Sequence, residues 1–589
     1  MRAATSQRQT ETTAPEPASK AWLRALERTA NLDRTPERVL PSVIAEIAAA
    51  TPDAPALLSE RERFTYSELV ERANRYARWA LSHLDKGDVV ALMMPNRPEY
   101  MAIWLGVVST GAVVALLNTS QSGASLQHSI AVAKARHLIA DPVFADIVND
   151  ALVGAVSPPT VWTDVALDGF SGAPLSDAEC RGVTLSDPAL LIYTSGTTGL
   201  PKAARVSHHR LMSWSGWFAG MMDAKPDDRL YNCLPMYHST GGVVATGAAL
   251  VAGASVVVRD GFSARAFWDE VVRWDCTLFQ YIGELCRYLV AAPRSEAETR
   301  HRLRLCAGNG LRKDVWLAFE ARFRVAKILE FYASTEGNFS LFNAEGVPGY
   351  VGRTPSFLAH RFGATLVRLD SATGEPVRDA DGRCVKCGVD EPGEAIGRVG
   401  VSGASRFEGY TDDAASERKL LHDVFEPGDV WMRTGDLMSK DARGFYAFVD
   451  RLGDTFRWKG ENVSASEVAD AVSACAGVES AAVYGVAVAG AEGRAGMTAV
   501  VAGAGFEVAG LHAALAKRLP EYARPLFVRE VRALDHTGTF KQQKGALQAE
   551  GFDPSRVDDV LWFDDRRVGT YVRLDAALYA EIVSGAARV

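Results

Sequence analysis

With 589 residues, of which 48% are hydrophobic and 23% charged, the chain has the make-up of an ordinary globular protein but exceeds the size at which one core usually stops growing. Two or more domains are therefore expected. A net charge of −8 with no long block of like charges argues against a nucleic-acid partner, and eight scattered cysteines, with Cys384 and Cys387 as the sole C-x-x-C pair, suit a reduced cytoplasmic protein better than a zinc site.

The first 20 residues lack the apolar core of a signal peptide, and residues 1–40 read as a disordered lead-in and N-terminal extension. After Arg63, Leu69, Ala73, Tyr76, Ala77 and Ala80 fall on one helical face, with Ser67 as the expected cap. Val89–Met94, bounded by Lys86-Gly-Asp and Pro95-Asn, suits a strand buried on both faces. The apolar run Met101 to Leu117 contains Gly106, Ser109, Thr110 and Gly111 and falls short of the ~20 residues of a membrane span. It reads instead as a buried helix, Glu99–Val108, running into a buried strand, Ala112–Leu117. The alternation continues to Ile139 and implies a mainly parallel, layered sheet.

A second lobe repeats the pattern. Its expected elements are a strand ending at Arg229–Pro235, a small-residue helix Gly242–Val251, a strand Ala254–Val258, a helix Phe267–Arg273, a strand Thr277–Tyr281 and a helix Glu284–Val290. From Gly363 short strands and turns suggest a small β-barrel, and Phe445–Val449 is a further strand. Helix Ser464–Ala474, strands Ser480–Val488 and Ala495–Val501, and helix Leu511–Leu519 make a separate α+β unit. The expected fold is α/β: a large domain, residues 41–452, of two layered α/β lobes plus the small β-barrel, and a mobile C-terminal domain, residues 453–589, turning about Gly453.

Chemistry concentrates at Tyr193-Thr-Ser-Gly-Thr-Thr-Gly-Leu-Pro-Lys202, which follows the apolar run Ala189–Ile192. Glycines let backbone N–H groups approach an oligophosphate, and the hydroxyls and lysine add donors and charge. The common NTPase loop needs glycine directly before its lysine; Pro201 stands there, with Ala203 after.

Further along come Tyr332-Ala-Ser-Thr-Glu-Gly337, Thr434-Gly-Asp436, Asp450-Arg-Leu452, Lys459-Gly460 and Thr537-Gly-Thr-Phe-Lys541. Their order and spacing resemble the adenylate-forming enzymes, the acyl-CoA synthetase and luciferase superfamily, from about residue 40 to about residue 560. Tyr237-His-Ser-Thr-Gly-Gly242, Gln280-Tyr-Ile-Gly-Glu-Leu-Cys-Arg-Tyr-Leu289, Gly308-Asn-Gly-Leu-Arg312 and Asp454-Thr-Phe-Arg-Trp-Lys-Gly-Glu-Asn-Val-Ser464 look like its fatty-acid transport protein/very-long-chain acyl-CoA synthetase branch.

The resemblance implies ATP, Mg²⁺ and CoA as reactants and cofactor, and a long- or very-long-chain fatty acid as substrate. Tyr193, Thr194, Ser195, Gly196, Thr197, Thr198, Gly199 and Lys202 would hold the ATP phosphates, Glu336 the Mg²⁺, and Thr335 the α-phosphate. Gly308, Asn309, Gly310, Tyr332 and Ser334 would wall the adenine and the adjoining pocket; Asp436 would take the ribose hydroxyls, supported by Arg451. Lys541 would meet the carboxylate and α-phosphate, with Lys544 only three residues away, and His238 would gate the acyl site or contact its carboxylate. Trp458, Lys459 and Gly460 would approach the pantetheine arm, and Tyr281, Ile282, Gly283, Leu285 and Leu289 would line an acyl tunnel. The implied protein is a cytoplasmic fatty acid–CoA ligase, peripheral at the inner face of the cell membrane and coupled to uptake. Two alternatives stay open: a fatty acyl-AMP ligase serving a carrier protein, and a non-enzymatic fatty acid transport component.

Overall fold

The computed structural model describes residues 16–587 apart from 195–199, 360–361, 371–372, 401–404, 453, 459–460, 490, 492 and 537–541. Two large sheets organise the first part of the chain. One has six strands, in the spatial order Thr160–Trp162, His137–Ala140, Val89–Met93, Val113–Leu116, Pro188–Thr194 and Lys202–Ser207. It is parallel except for the last pair, a hairpin. The other has eight strands, running from Ser340–Asn343 through Ile328–Ala333, Leu305–Asn309, Leu278–Ile282, Arg229–Asn232, Ser255–Val258 and Pro55–Leu58 to Arg63–Thr65. Its interior is parallel and both edges are antiparallel.

Between the sheets, helix Pro98–Val108 is buried on every side, which explains a run too apolar for a surface helix. Gly106 is required there: a Cβ would lie 2.2 Å from the carbonyl oxygen of Ala73 on helix Tyr66–His83. That second helix is capped by Thr65 rather than Ser67. Thr65 accepts from the Glu68 N–H and Glu68 reaches back to the Thr65 N–H, a reciprocal capping box that Ser67, already inside the first turn, could not form. Among the described residues, no helix is long and apolar enough to cross a membrane.

The small-residue helix begins earlier than its composition suggests. Ser239–Ala245 is a π-helix, followed by α-helix Thr246–Leu250. The Asn232 amide and the Thr246 hydroxyl both donate to the Gly241 carbonyl at 2.9 Å, taking up an acceptor that an α-helical ladder would use. Gly241 and Gly242 press on the backbone of residues 234–236, where a Cβ at Gly242 would sit 2.0 Å from the Met236 oxygen.

Within the stretch read as lead-in and extension, Ala18–Thr29 is a helix whose Ala21, Trp22 and Ala25 are buried. It lies against helix His208–Met221. After residue 363 comes a five-stranded antiparallel sheet containing Ala364–Val367, Gly393–Arg398, Leu420–His422, Val430–Lys440 and Tyr446–Arg451. From Phe456 onward the chain has its own core. A two-stranded ribbon, a five-stranded sheet that includes strands Phe527–Val531, Val560–Asp565 and Thr570–Arg573, and helices Ala465–Ser473, Val508–Arg518 and Ala576–Val583 contribute to it.

Candidate functional site

A cleft of about 3330 Å³ runs between the large lobes, the antiparallel sheet and the C-terminal unit. The hairpin Pro188–Thr194/Lys202–Ser207 enters it with Thr194 directly opposite Lys202. Ser195, Gly196, Thr197, Thr198 and Gly199, the tip between them, lie outside the described residues. Tyr193 points its phenol inward, donating to the Ser129 carbonyl at 2.7 Å, so it anchors the strand. Lys202 Nζ stands 5.6 Å from the centroid of the Tyr410 ring. Burial pushes the Tyr410 phenol well up, reinforced by its neighbour Glu336, while Thr194 works the other way. Tyr410 thus ties the hairpin to Glu336.

Glu336 is nearly buried, with Lys419 Nζ 3.7 Å from its carboxylate. The turn carrying it is tight, since a Cβ at Gly337 would fall 2.2 Å from Ser334 Oγ. The Thr335 hydroxyl lies 3.1 Å from Ser239 Oγ at the start of the π-helix, which His238 precedes on the cleft wall. Arg210 fixes this corner from below, donating to the Thr335 carbonyl at 2.7 Å and to the Arg406 carbonyl at 3.0 Å. Its burial lowers the guanidinium pKa, against the pull of Glu408 and Glu336.

At the far end, the Tyr332 phenol donates to Asp436, and Arg451 Nε stands 3.3 Å from the other carboxylate oxygen. Asp436 and Arg451 are cross-strand partners in the antiparallel sheet. Burial first, then the Asp436 charge, hold the Tyr332 phenol far above its ordinary value, so it stays a donor. Gly308 is the penultimate residue of strand Leu305–Asn309, where a Cβ would be 2.3 Å from the Tyr281 oxygen, and Gly310 has φ +78°. Both glycines are dictated by backbone geometry. Beneath them, Glu330 accepts from the Tyr281 hydroxyl at 2.6 Å and from the Leu311 N–H at 3.0 Å. Its pKa is pushed up to about 8 by burial, against those hydrogen bonds. Asn309 Oδ1 and Ser334 Oγ are buried on this wall without a hydrogen-bond partner among the described residues, as groups awaiting a polar ligand would be.

The C-terminal unit closes the cleft. Arg312 pairs with Asp470 at 2.9 Å, Arg287 donates to the Glu479 carbonyl at 3.2 Å, and Asp450 accepts from Ser464 and Ser466 at 2.8 and 3.0 Å. Trp458 is 2% exposed within the C-terminal core and does not line the cleft. Lys459, Gly460, Gly453, expected as the hinge, and Lys541 lie outside the described residues; His536, Gln542 and Lys544, on either side of the Lys541 segment, border the cleft, and Lys544 stands 3.8 Å from Asp454.

Tyr281, Leu285 and Leu289 are fully buried in the core of the second lobe, and of the expected tunnel residues only Ile282 and Gly283 reach the cleft. The apolar wall comes instead from Leu26, Trp214, Trp217, Phe218, Phe342 and Phe362. Sequence reading missed Tyr410, Arg210 and Lys419, which lie far along the chain from Glu336. The one local signal was the run Arg406-Phe-Glu-Gly-Tyr410, dense in charged and aromatic groups.

Residues 44–411 match the family model of the AMP-binding enzymes, and residues 467–541 that of the AMP-binding enzyme C-terminal domain. Long-chain fatty acid transport protein 1 of Mus musculus is 39% identical over 567 residues, covering 93% of this chain and 88% of the relative. The medium/long-chain-fatty-acid–CoA ligase FadD6 of Mycobacterium tuberculosis is 41% identical over 508 residues, covering 85% and 84%. Among solved structures, ATP-bound MatB from Rhodopseudomonas palustris superposes with a TM-score of 0.73 at 26% identity, covering 86% of this chain and 98% of that one.

Proposed function

Because the chain belongs to the AMP-binding enzyme family, we propose that it is an ATP-dependent fatty acid–CoA ligase for long or very long chains. What carries the reading is a single cleft that joins an aromatic, apolar chamber to the polar groups of Thr335, Glu336, Tyr332 and Asp436. The relatives named for long-chain fatty acids and for CoA ligation support it.

A carboxylate is a weak nucleophile and ATP is an anion, so the first step is governed by positioning and charge neutralisation. A carboxylate oxygen of the acid attacks the α-phosphorus, the bond to the bridging oxygen breaks, and pyrophosphate leaves. The sulfur of CoA then attacks the acyl carbonyl, and AMP departs with the electron pair of the broken C–O bond. Lys202 and the hydroxyls of residues 194–198 hold the outer phosphates. Thr335, held by Ser239 and Arg210, bonds the α-phosphate; Asp436, aligned by Tyr332 and Arg451, takes the ribose hydroxyls; Asn309 and Ser334 gain partners on the adenine side. Lys541 brings positive charge to the point where two anions meet.

Glu336 fits a Mg²⁺ site. Among the described residues no group of three or more His, Cys, Asp and Glu could cage a metal, which suits an ion held by one carboxylate and completed by phosphate oxygens and water. When bound, Mg²⁺ neutralises phosphate charge. Uptake is part of the proposal: thioester formation by a chain docked peripherally on the inner membrane face depletes the free acid and draws in more. Co-sedimentation with lipid vesicles checks the docking.

The test is pyrophosphate release and acyl-CoA formation over a series of fatty acids, for wild type and Lys541→Ala. Thioester formation that peaks at long chains and collapses in the variant is the expected result. Pyrophosphate without thioester would move the reading to carrier-protein delivery; neither product with any acid would refute it.

A further inference from the structure

The apolar end of the cleft is closed by an element outside both α/β lobes. Helix Ala18–Thr29 supplies Leu26 and Thr29 to the cleft wall. Its Trp22 makes edge contacts with Trp217, Phe342 and Phe362 at centroid distances of 5.7 to 5.8 Å. Those three rings line the cleft, whereas Trp22 lies behind them and borders a separate outer groove of about 910 Å³. Ala359 lines both spaces. The Trp22 indole therefore backs the three rings that face the chamber, on the side toward the outer groove.

The helix is seated firmly. Gly216 and Gly220 of helix His208–Met221 face it, and a Cβ at Gly220 would fall 2.5 Å from the backbone of Ala25. Arg24 adds a bond of 3.1 Å to the Gly220 carbonyl and a 3.4 Å ion pair with Asp223. Among the described residues the Trp22 indole N–H has no hydrogen-bond partner, so the contacts that hold the ring there are its packing against Trp217, Phe342 and Phe362.

We propose that Trp22 sets the acyl chain length: the tail of the substrate runs along the aromatic wall, and its length is limited by the Trp22 indole, which stands behind Trp217, Phe342 and Phe362 and holds that wall in against the outer groove. This rests on the fatty-acid reading above. An apolar stop discriminates by methylene groups, because each additional one either finds apolar surface or meets a wall.

The experiment measures kcat/KM for CoA-thioester formation over a homologous series of saturated fatty acids, using the full chain as wild type, Trp22→Ala, Leu26→Trp and Leu23→Ala. Leu23, 49% exposed on the outer face of the helix, is the control. Removing the ring behind the wall in Trp22→Ala should raise the preference for acids longer than the wild-type optimum about tenfold or more over the optimal one. Leu26→Trp, which fills the chamber, should shift the preference toward shorter acids, and Leu23→Ala should leave it unmoved. If Trp22→Ala does not fold, Leu26→Trp alone decides. A profile unchanged in the folded variants, or lowered by one common factor for every acid, overturns the assignment while the ligase reading stands. Wild type inactive on every fatty acid overturns both.

Discussion

The two ends of the cleft are built on different principles. At the polar end directional contacts set Asp436 and Thr335 in place: Tyr332 bonds Asp436, Arg451 stands across the strand pair, and Arg210 holds the Thr335 carbonyl. At the acyl end rings meet rings, and only surface and volume matter. Directional bonds are lost whole when one partner is removed, whereas apolar contact is lost in proportion to area. The first end should therefore be intolerant of change and the second tunable.

The largest effect expected is at the point of reaction. Lys541→Ala should lower the adenylation rate about 10²–10³-fold for every acid, as loss of a transition-state charge contact does, read by pyrophosphate release. An activity that fell only for long acids would break the comparison. Asp436→Ala should follow, raising the KM for ATP about 10–100-fold, the loss of a hydrogen bond to a charged group, with the acyl preference unmoved. Trp217→Ala should do the reverse: about a tenfold loss of kcat/KM on long acids and little on the KM for ATP.

Glu330 tests the nucleotide end by pH. Its folded pKa, about 8, lies above the ordinary carboxylate value, so the folded state binds the extra proton and stability falls as pH rises from about 4.5 to about 8, by at most about 1.4 kcal/mol per pH unit. Glu330→Gln carries no such proton. The variant should be less stable than wild type at pH 5, having lost an acceptor, and the gap in Tm should narrow toward pH 8. A gap constant with pH would mean that the carboxyl is ionised throughout. The smallest effect belongs to neither end: Thr65→Ala should cost about 1 kcal/mol of stability through its helix cap, seen in denaturant melts with kinetics unchanged.

Local order was legible in the sequence where neighbours decide it. Helix Phe267–Arg273 follows from its apolar spacing and from Asp269 and Glu270 in its first turn. The buried strands follow from short apolar runs between turn residues, and the strand opening into the loop before Lys202 from glycines and hydroxyls after such a run, whereas the antiparallel return Lys202–Ser207 was not read from it. The N-terminal helix was readable in retrospect, since Ala21, Trp22 and Ala25 share one face, but twelve residues of pattern beside a polar lead-in are weak without a surface to meet. Thr65 and Ser67 are chemically equivalent caps; only the return bond from Glu68 separates them.

By itself the sequence determined the succession of elements and the motif residues, because periodicity, turn chemistry and motif spacing depend on residues a few places apart. Tertiary structure alone decided that Arg210, Tyr410 and Lys419 surround Glu336, that burial raises Glu330, that Leu285 and Leu289 are core, and that the N-terminal helix closes the chamber. Each of these depends on the summed packing of segments more than 70 residues apart or on a local dielectric, and neither is encoded in any short window of the chain.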